Sequence, residues 1–142
     1  MAHEDCIFCK IIAGDIPSAK VYEDDQVYAF LDISQVTKGH TLVIPKTHVK
    51  NIYETPSEVA SELFARVPRI ANAIKAAYKP VGMNLLNNNE APADQSVFHI
   101  HIHLIPRYGE GDGYSSNWNV HTEDYTPEDL QTMAAEINSE IK

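Results

Sequence analysis

The sequence predicts an α+β domain, an antiparallel sheet with one long helix and a C-terminal helix, on three observations. Two strand-like runs flank an Asp24-Asp25 pair of hairpin type, an apolar helical repeat continues from 55 to 78, and residues 98–104 alternate apolar side chains with histidines. With 142 residues, 44% of them hydrophobic, the chain suits one domain over 1–142, with its core at about 5–107 and a C-terminal extension over 108–142.

Ile7, Phe8, Ile11 and Ile12 space a short first helix that Gly14 ends in the left-handed cap position. Asp15-Ile16-Pro17 turns the chain, and strands follow at Lys20–Glu23, Gln26–Asp32 and Thr41–Ile44 as a small meander. Thr55 at N-cap, Pro56 at N1 and Glu58 at N3 form a capping box for the long helix. Val59, Leu63, Val67, Ile70, Ala71, Ile74 and Ala77 recur at three-to-four spacing up to Tyr78, and Pro68 is expected to kink the helix. Gly82–Asn87 reads as a fourth strand and Val97–Ile105 as a fifth. Thr126-Pro127 starts a final helix near Asp129–Ile141.

A formal charge of -9 and a pI near 5.1 argue against general nucleic-acid binding, which rewards a basic face. Any phosphate must therefore be held locally. With neither a charged leader ahead of an apolar run nor an apolar stretch of roughly 18 residues, the expectation is a cytoplasmic protein that neither crosses nor binds membrane.

His99, His101 and His103 sit at two-residue spacing, so a strand aims their imidazoles one way, about 6.6–6.8 Å apart, with Phe98, Ile100, Ile102 and Leu104 on the other side. Three buried neutral imidazoles need up to six hydrogen-bond partners, and each one missing costs about 1–3 kcal/mol. Such a cluster calls for a chemical reason. His-x-His on a strand is one way to hold a catalytic metal, but it leaves the third histidine without a role. A nucleophilic imidazole attacking phosphorus, with flanking imidazoles as donors, uses all three. The preceding Asn87-Asn88-Asn89-Glu90-Ala91-Pro92-Ala93-Asp94-Gln95-Ser96 reads either as an ordinary polar turn or as a phosphate-cradling loop. Cys6-x-x-Cys9 leaves thiol redox chemistry, zinc and plain buried cysteines open.

His99-Ile100-His101-Ile102-His103-Leu104-Ile105 resembles the signature of the histidine triad (HIT) superfamily. Cys6–Asp15, Ala29–Ser34, Gly39–His48 and Gln95–His99 are similar to its Hint-like bacterial branch, so the resemblance spans about 6–107. It implies a homodimer whose sheet continues from one protomer into the other through the long helix and a sheet edge, with a purine nucleotide site in each. By resemblance, His101 is the nucleophile and forms a nucleotidyl-histidine that water hydrolyses. His40 orients and polarises His101, and His103 hydrogen-bonds the phosphate side. Phe8, Ile11, Ile16, Phe30 and Ile33 correspond to positions that sandwich the purine, although Phe8, Phe30 and Ile33 also suit plain core. Asp32 corresponds to the carboxylate that receives the ribose hydroxyls, and Asn88, Gln95 and Ser96 to phosphate contacts.

Glu90 and Asp94 depart from the resemblance, standing where glycines are frequent. A carboxylate at Asp94 opposes a nearby phosphate. The resemblance also implies a structural zinc on Cys6, Cys9, His48 and His99 and no catalytic metal. The expected activity is hydrolysis of purine nucleoside 5'-monophosphate derivatives, phosphoramidates above all, to AMP or GMP. Dinucleoside polyphosphate hydrolysis and a zinc-stabilised nucleotide-binding regulatory dimer with incidental hydrolysis are the alternatives.

Overall fold

The computed structural model describes residues 3–142. The order is α1 (Ile7–Ala13), β1 (Lys20–Glu23), β2 (Val27–Leu31), β3 (Thr41–Pro45), α2 (Ser57–Tyr78), β4 (Gly82–Leu86), β5 (Ile102–Arg107) and α3 (Pro127–Glu140). The five strands form one sheet in the order β1-β2-β3-β5-β4, and every neighbouring pair is antiparallel.

Residue parity along the central strands assigns the two faces. Val27, Ala29, Val43, Ile102 and Leu104 point to α2 and pack on Leu63, Val67, Ile70 and Ile74. Tyr28, Phe30, Leu42 and Ile44 point the other way and meet Cys6, Phe8, Cys9 and Ile11 of the α1 segment. Because alternate residues face opposite sides, His101 and His103 fall on the α1 face once Ile102 and Leu104 are committed to the α2 core. Each fully buried Leu, Ile or Val contributes about 1.5–3 kcal/mol, so the α2 core holds the register that aims the histidines.

Local chemistry agrees with the expected elements at several points. Gly14 ends α1 at φ 86, and its N–H reaches Ile11 and Lys10 carbonyls. Asp24 Oδ1 accepts from the N–H groups of Gln26 and Val27 in the β1–β2 turn, and its Oδ2 accepts from Arg66 Nε of α2 at 2.7 Å. At the start of α3, Thr126 and Asp129 complete a capping box, with Pro127 as the first helical residue.

Two expectations need correction. No capping box opens α2: its N-cap is Pro56, because Thr55 ends a preceding 3-10 turn and spends its hydroxyl on the Asn51 carbonyl at 2.8 Å. Helix α2 continues through Pro68, where a kink is expected, with Leu63, Val67 and Ile70 packed on both sides of it. Finally, β5 starts at Ile102 and not at Val97, so of the three histidines only His103 lies in the strand. Ahead of it the backbone leaves the ladder, with Ile100 N–H donating to Val49 O at 2.8 Å, and Phe98 stays half exposed instead of joining the core face.

Beyond β5 the extension is tied to the body near its start. Arg107 holds Asp112, and Tyr108 donates to the Lys38 carbonyl at 2.6 Å. Gly113 has φ 115 and lies so close to the Val36 carbonyl that a Cβ would collide with it. Helix α3 buries no residue against the rest of the described chain. No helix among the described residues is long and apolar enough to cross a membrane.

Candidate active site and adjoining donor cluster

A cleft of about 450 Å³ opens on the α1 face. Phe8 and Ile11 of α1, Ile16 after it, Phe30 of β2, and Asp32 and Ile33 just beyond that strand line one part. Asn88, Asp94 and Ser96 of the β4–β5 loop line another, and His101 and His103 lie in its wall. Every residue expected to touch nucleotide therefore lines this cleft except Gln95.

Gln95 is only 3% exposed and its amide is fully engaged inside the loop. Its Oε1 accepts from Glu90 N–H and Asn51 Nδ2, and its Nε2 donates to the carbonyls of Lys50 and Val97. It braces the loop. Glu90 needs that brace, since its φ of 78 and ψ of 151 fall in a region that glycine alone adopts readily. Asp94 takes the left-handed conformation at φ 72 and ψ 19, which Asp tolerates better than most residues. Asn51, 1% exposed, was not expected from the sequence, because the partners that make it useful lie about forty positions away.

The hydrogen bonds assign each imidazole a tautomer. Val36 N–H donates to His40 Nδ1 at 3.3 Å, so the ring proton of neutral His40 sits on Nε2. Nε2–H then donates to His103 Nδ1 at 2.9 Å, which places the His103 proton on its own Nε2. His101 Nδ1–H donates to the His99 carbonyl at 2.8 Å, leaving Nε2 with an unshared pair. His99 Nε2–H donates to the Pro45 carbonyl at 2.8 Å and frees Nδ1. The triad thus presents an N–H at His103 Nε2 and unshared pairs at His101 Nε2 and His99 Nδ1.

His40, expected to orient His101, makes no hydrogen bond to it. It is paired with His103, because the ring nitrogen of His101 that an orienting group would hold is already taken by the His99 carbonyl. Gln35 holds His40 from behind: its Nε2 donates to the carbonyls of Asp32 and His40 at 2.6 and 2.7 Å, and its Oε1 accepts from Gly39 N–H. Nothing in the residue pattern marks Gln35, since its use depends on how the 32–40 loop closes.

Burial keeps the imidazoles neutral. It lowers the pKa of His40 and His101 and takes His103 down to about 4, with His101 and His40 nearby adding to the effect on His103. A neutral His101 retains the lone pair on its Nε2. Asp32, 3.7 Å from His40 Nε2, also converges on this pair, but the Val36 contact commits that nitrogen to its proton and so disfavours a metal there.

On the other side of Phe8, the Sγ atoms of Cys6 and Cys9 and the Nδ1 atoms of His48 and His99 lie within 4.8 Å of one another. Sγ–Nδ1 separations are 3.5 Å for Cys6–His99, 3.4 Å for Cys9–His48 and 3.7 Å for Cys9–His99. A tetrahedral zinc with sulfur and nitrogen ligands has edges of about 3.6 Å, which these three separations match. Burial pushes the Cys6 thiol up, and a thiolate there needs a cation beside it.

A family model described as HIT domain matches residues 13–110. A Bacillus subtilis member of the HIT family of proteins has a crystal structure that superposes with a TM-score of 0.95 at 62% identity, covering 98% of this chain and 99% of that one. The adenosine 5'-monophosphoramidase hnt1 of Schizosaccharomyces pombe is 39% identical over 137 residues, 96% of this chain and 98% of that protein. A zinc-bound histidine triad family protein from Mycobacterium smegmatis matches with a TM-score of 0.73 at 36% identity, covering 95% and 96% of the two chains.

Proposed function

The chain belongs to the HIT domain family, and on that premise we propose that it is a nucleotide hydrolase that cleaves purine nucleoside 5'-phosphoramidates to AMP or GMP through a nucleotidyl-histidine. The carrying observation is the free Nε2 of His101, in a neutral ring locked by its Nδ1–H to the His99 carbonyl and opening on the cleft. The name of the fission yeast relative supports the reaction class.

Phe8, Ile11, Ile16, Phe30 and Ile33 hold the base, and Asp32 accepts from the ribose hydroxyls. His103 Nε2–H, Ser96 and Asn88 donate to the α-phosphate. His101 Nε2 attacks phosphorus in line, and the P–N bond breaks with its electron pair going to the leaving nitrogen, which takes up a proton from solvent and departs as the amine. Water then adds to phosphorus and loses a proton. The P–Nε2 bond breaks, the pair returns to His101, and the nucleoside monophosphate is released. His40 acts through His103, fixing its tautomer so that a donor always faces the phosphate.

Cys6, Cys9, His48 and His99 hold a structural zinc in this reading, supported by the tetrahedral fit of the donors and by the zinc-bound relative. Zinc there joins the α1 segment to the residues after β3 and before β5, and removes His99 from proton transfer. The protein acts as a homodimer through α2 and β4. Supporting this, β4 is an edge strand, and Phe64 and Tyr78 of α2 with Val81 and Leu85 on and beside β4 are exposed apolar side chains.

Steady-state kinetics with adenosine phosphoramidate, guanosine phosphoramidate and diadenosine polyphosphates test the assignment. The phosphoramidates are expected to turn over fastest, and His101→Asn to lower kcat by about 10³-fold or more while AMP still binds. Wild-type kcat in His101→Asn would remove the nucleophile. Faster turnover of the polyphosphates would move the protein to the dinucleoside class, and AMP binding without turnover would make it a regulatory dimer.

A further inference from the structure

The charge inventory of the cleft is one-sided. Its lining contains Asp32 and Asp94 and no Lys or Arg. Lys50, a cation beside the loop, faces the neighbouring cavity and is tied to the carboxylate of Glu90 at 3.3 Å. The two imidazoles in the wall are engaged with uncharged partners, His103 Nδ1 with His40 Nε2 at 2.9 Å and His101 Nδ1 with the His99 carbonyl at 2.8 Å.

Asp94 differs from Asp32 in what surrounds it. Asp32 sits near His40 and accepts from Ser34 N–H, and its place beside the base pocket gives it the ribose. Asp94 is exposed at the loop side of the cleft with Asn88 and Ser96, and only its backbone is used, its carbonyl accepting from Asn88 Nδ2 at 3.4 Å. Among the described residues its carboxylate has neither a hydrogen bond nor an ion pair. Outside the histidines and the Asp32–Ser34 corner, the polar lining of the cleft comes from this loop, so the group carried by the α-phosphate meets Asp94.

Resting on the nucleotide-hydrolase reading above, we propose that Asp94 determines leaving-group specificity: the protein selects nucleoside phosphoramidates of amines that carry a further positive charge and rejects leaving groups that carry negative charge. A monoanionic α-phosphate can be held by the neutral donors of His103, Ser96 and Asn88. Additional phosphates or a carboxylate would lie against an unpaired carboxylate with no cation lining the cleft to offset them. An ammonium on the leaving amine gains the attraction that those groups lose.

The test uses three conjugates of near-equal size, AMP joined through a P–N bond to 1,4-diaminobutane, to n-butylamine and to 4-aminobutyrate. Their leaving groups are cationic, neutral and anionic near pH 7. For an exposed pair worth up to about 1 kcal/mol, wild-type kcat/KM is expected to fall roughly fivefold at each step from cation to neutral to anion. Asp94→Asn keeps a residue that tolerates the left-handed backbone and is expected to compress the whole series to within about twofold. A flat or reversed wild-type order, or an order that survives in Asp94→Asn, overturns the proposal. If none of the three conjugates turns over, the hydrolase reading fails, and the dissociation constants of the same conjugates in the two proteins judge Asp94 by the same ordering.

Discussion

His103 has a pKa near 4 because its ring is largely withdrawn from solvent, with His101 and His40 nearby adding to the effect. In the unfolded chain a histidine titrates near 6.5, so between about pH 6.5 and pH 4 the unfolded state binds more protons at this position. The stability that the neutral, buried ring allows is complete above that window and is lost as pH falls through it. Thermal melts from pH 7 to pH 4 are expected to show a falling Tm, with a shallower slope in His103→Gln. The same slope in both proteins would contradict the assignment. At this scale the sequence was informative about side and residue type but not about pairing. Two-residue spacing aimed His101 and His103 at one face, whereas the His40–His103 contact depends on β3 lying next to β5, which no local pattern carries.

At the scale of elements, α1 is a short helix that reaches the sheet through Phe8 and Ile11 and, at Cys6 and Cys9, through the donor cluster. A seven-residue helix has little stability of its own, so its position rests on those contacts. Metal content is expected at about one zinc per chain, and Cys9→Ala is expected to lower Tm by about 10 °C while lowering kcat far less. Equal Tm values for the wild type before and after strong chelation would make the cysteines ordinary buried thiols. The ends of elements were the least legible part. Capping signals at Gly14 and Thr126 read correctly because they are local, while Thr55 was taken up by a preceding turn closed on Asn51. The fifth strand was overextended because alternation persists through 98–101, where the backbone bonds instead to Val49.

For the whole molecule, the sheet ends on one side in β4, and the apolar residues that this edge and α2 leave exposed need a cover. Sedimentation at micromolar concentration is expected to give a dimer, and Leu85→Lys with Phe64→Glu to give a folded monomer. A wild-type monomer across that range would contradict the homodimer reading. The central claim, covalent attack by His101, leaves a signature at phosphorus that no binding experiment reproduces. Two successive in-line displacements, first by His101 Nε2 and then by water, invert the configuration twice. A phosphoramidate made chiral at phosphorus with sulfur, hydrolysed in water enriched in heavy oxygen, is expected to give adenosine phosphorothioate with net retention. Net inversion would mean that water attacks directly and that His101 never bonds to the nucleotide.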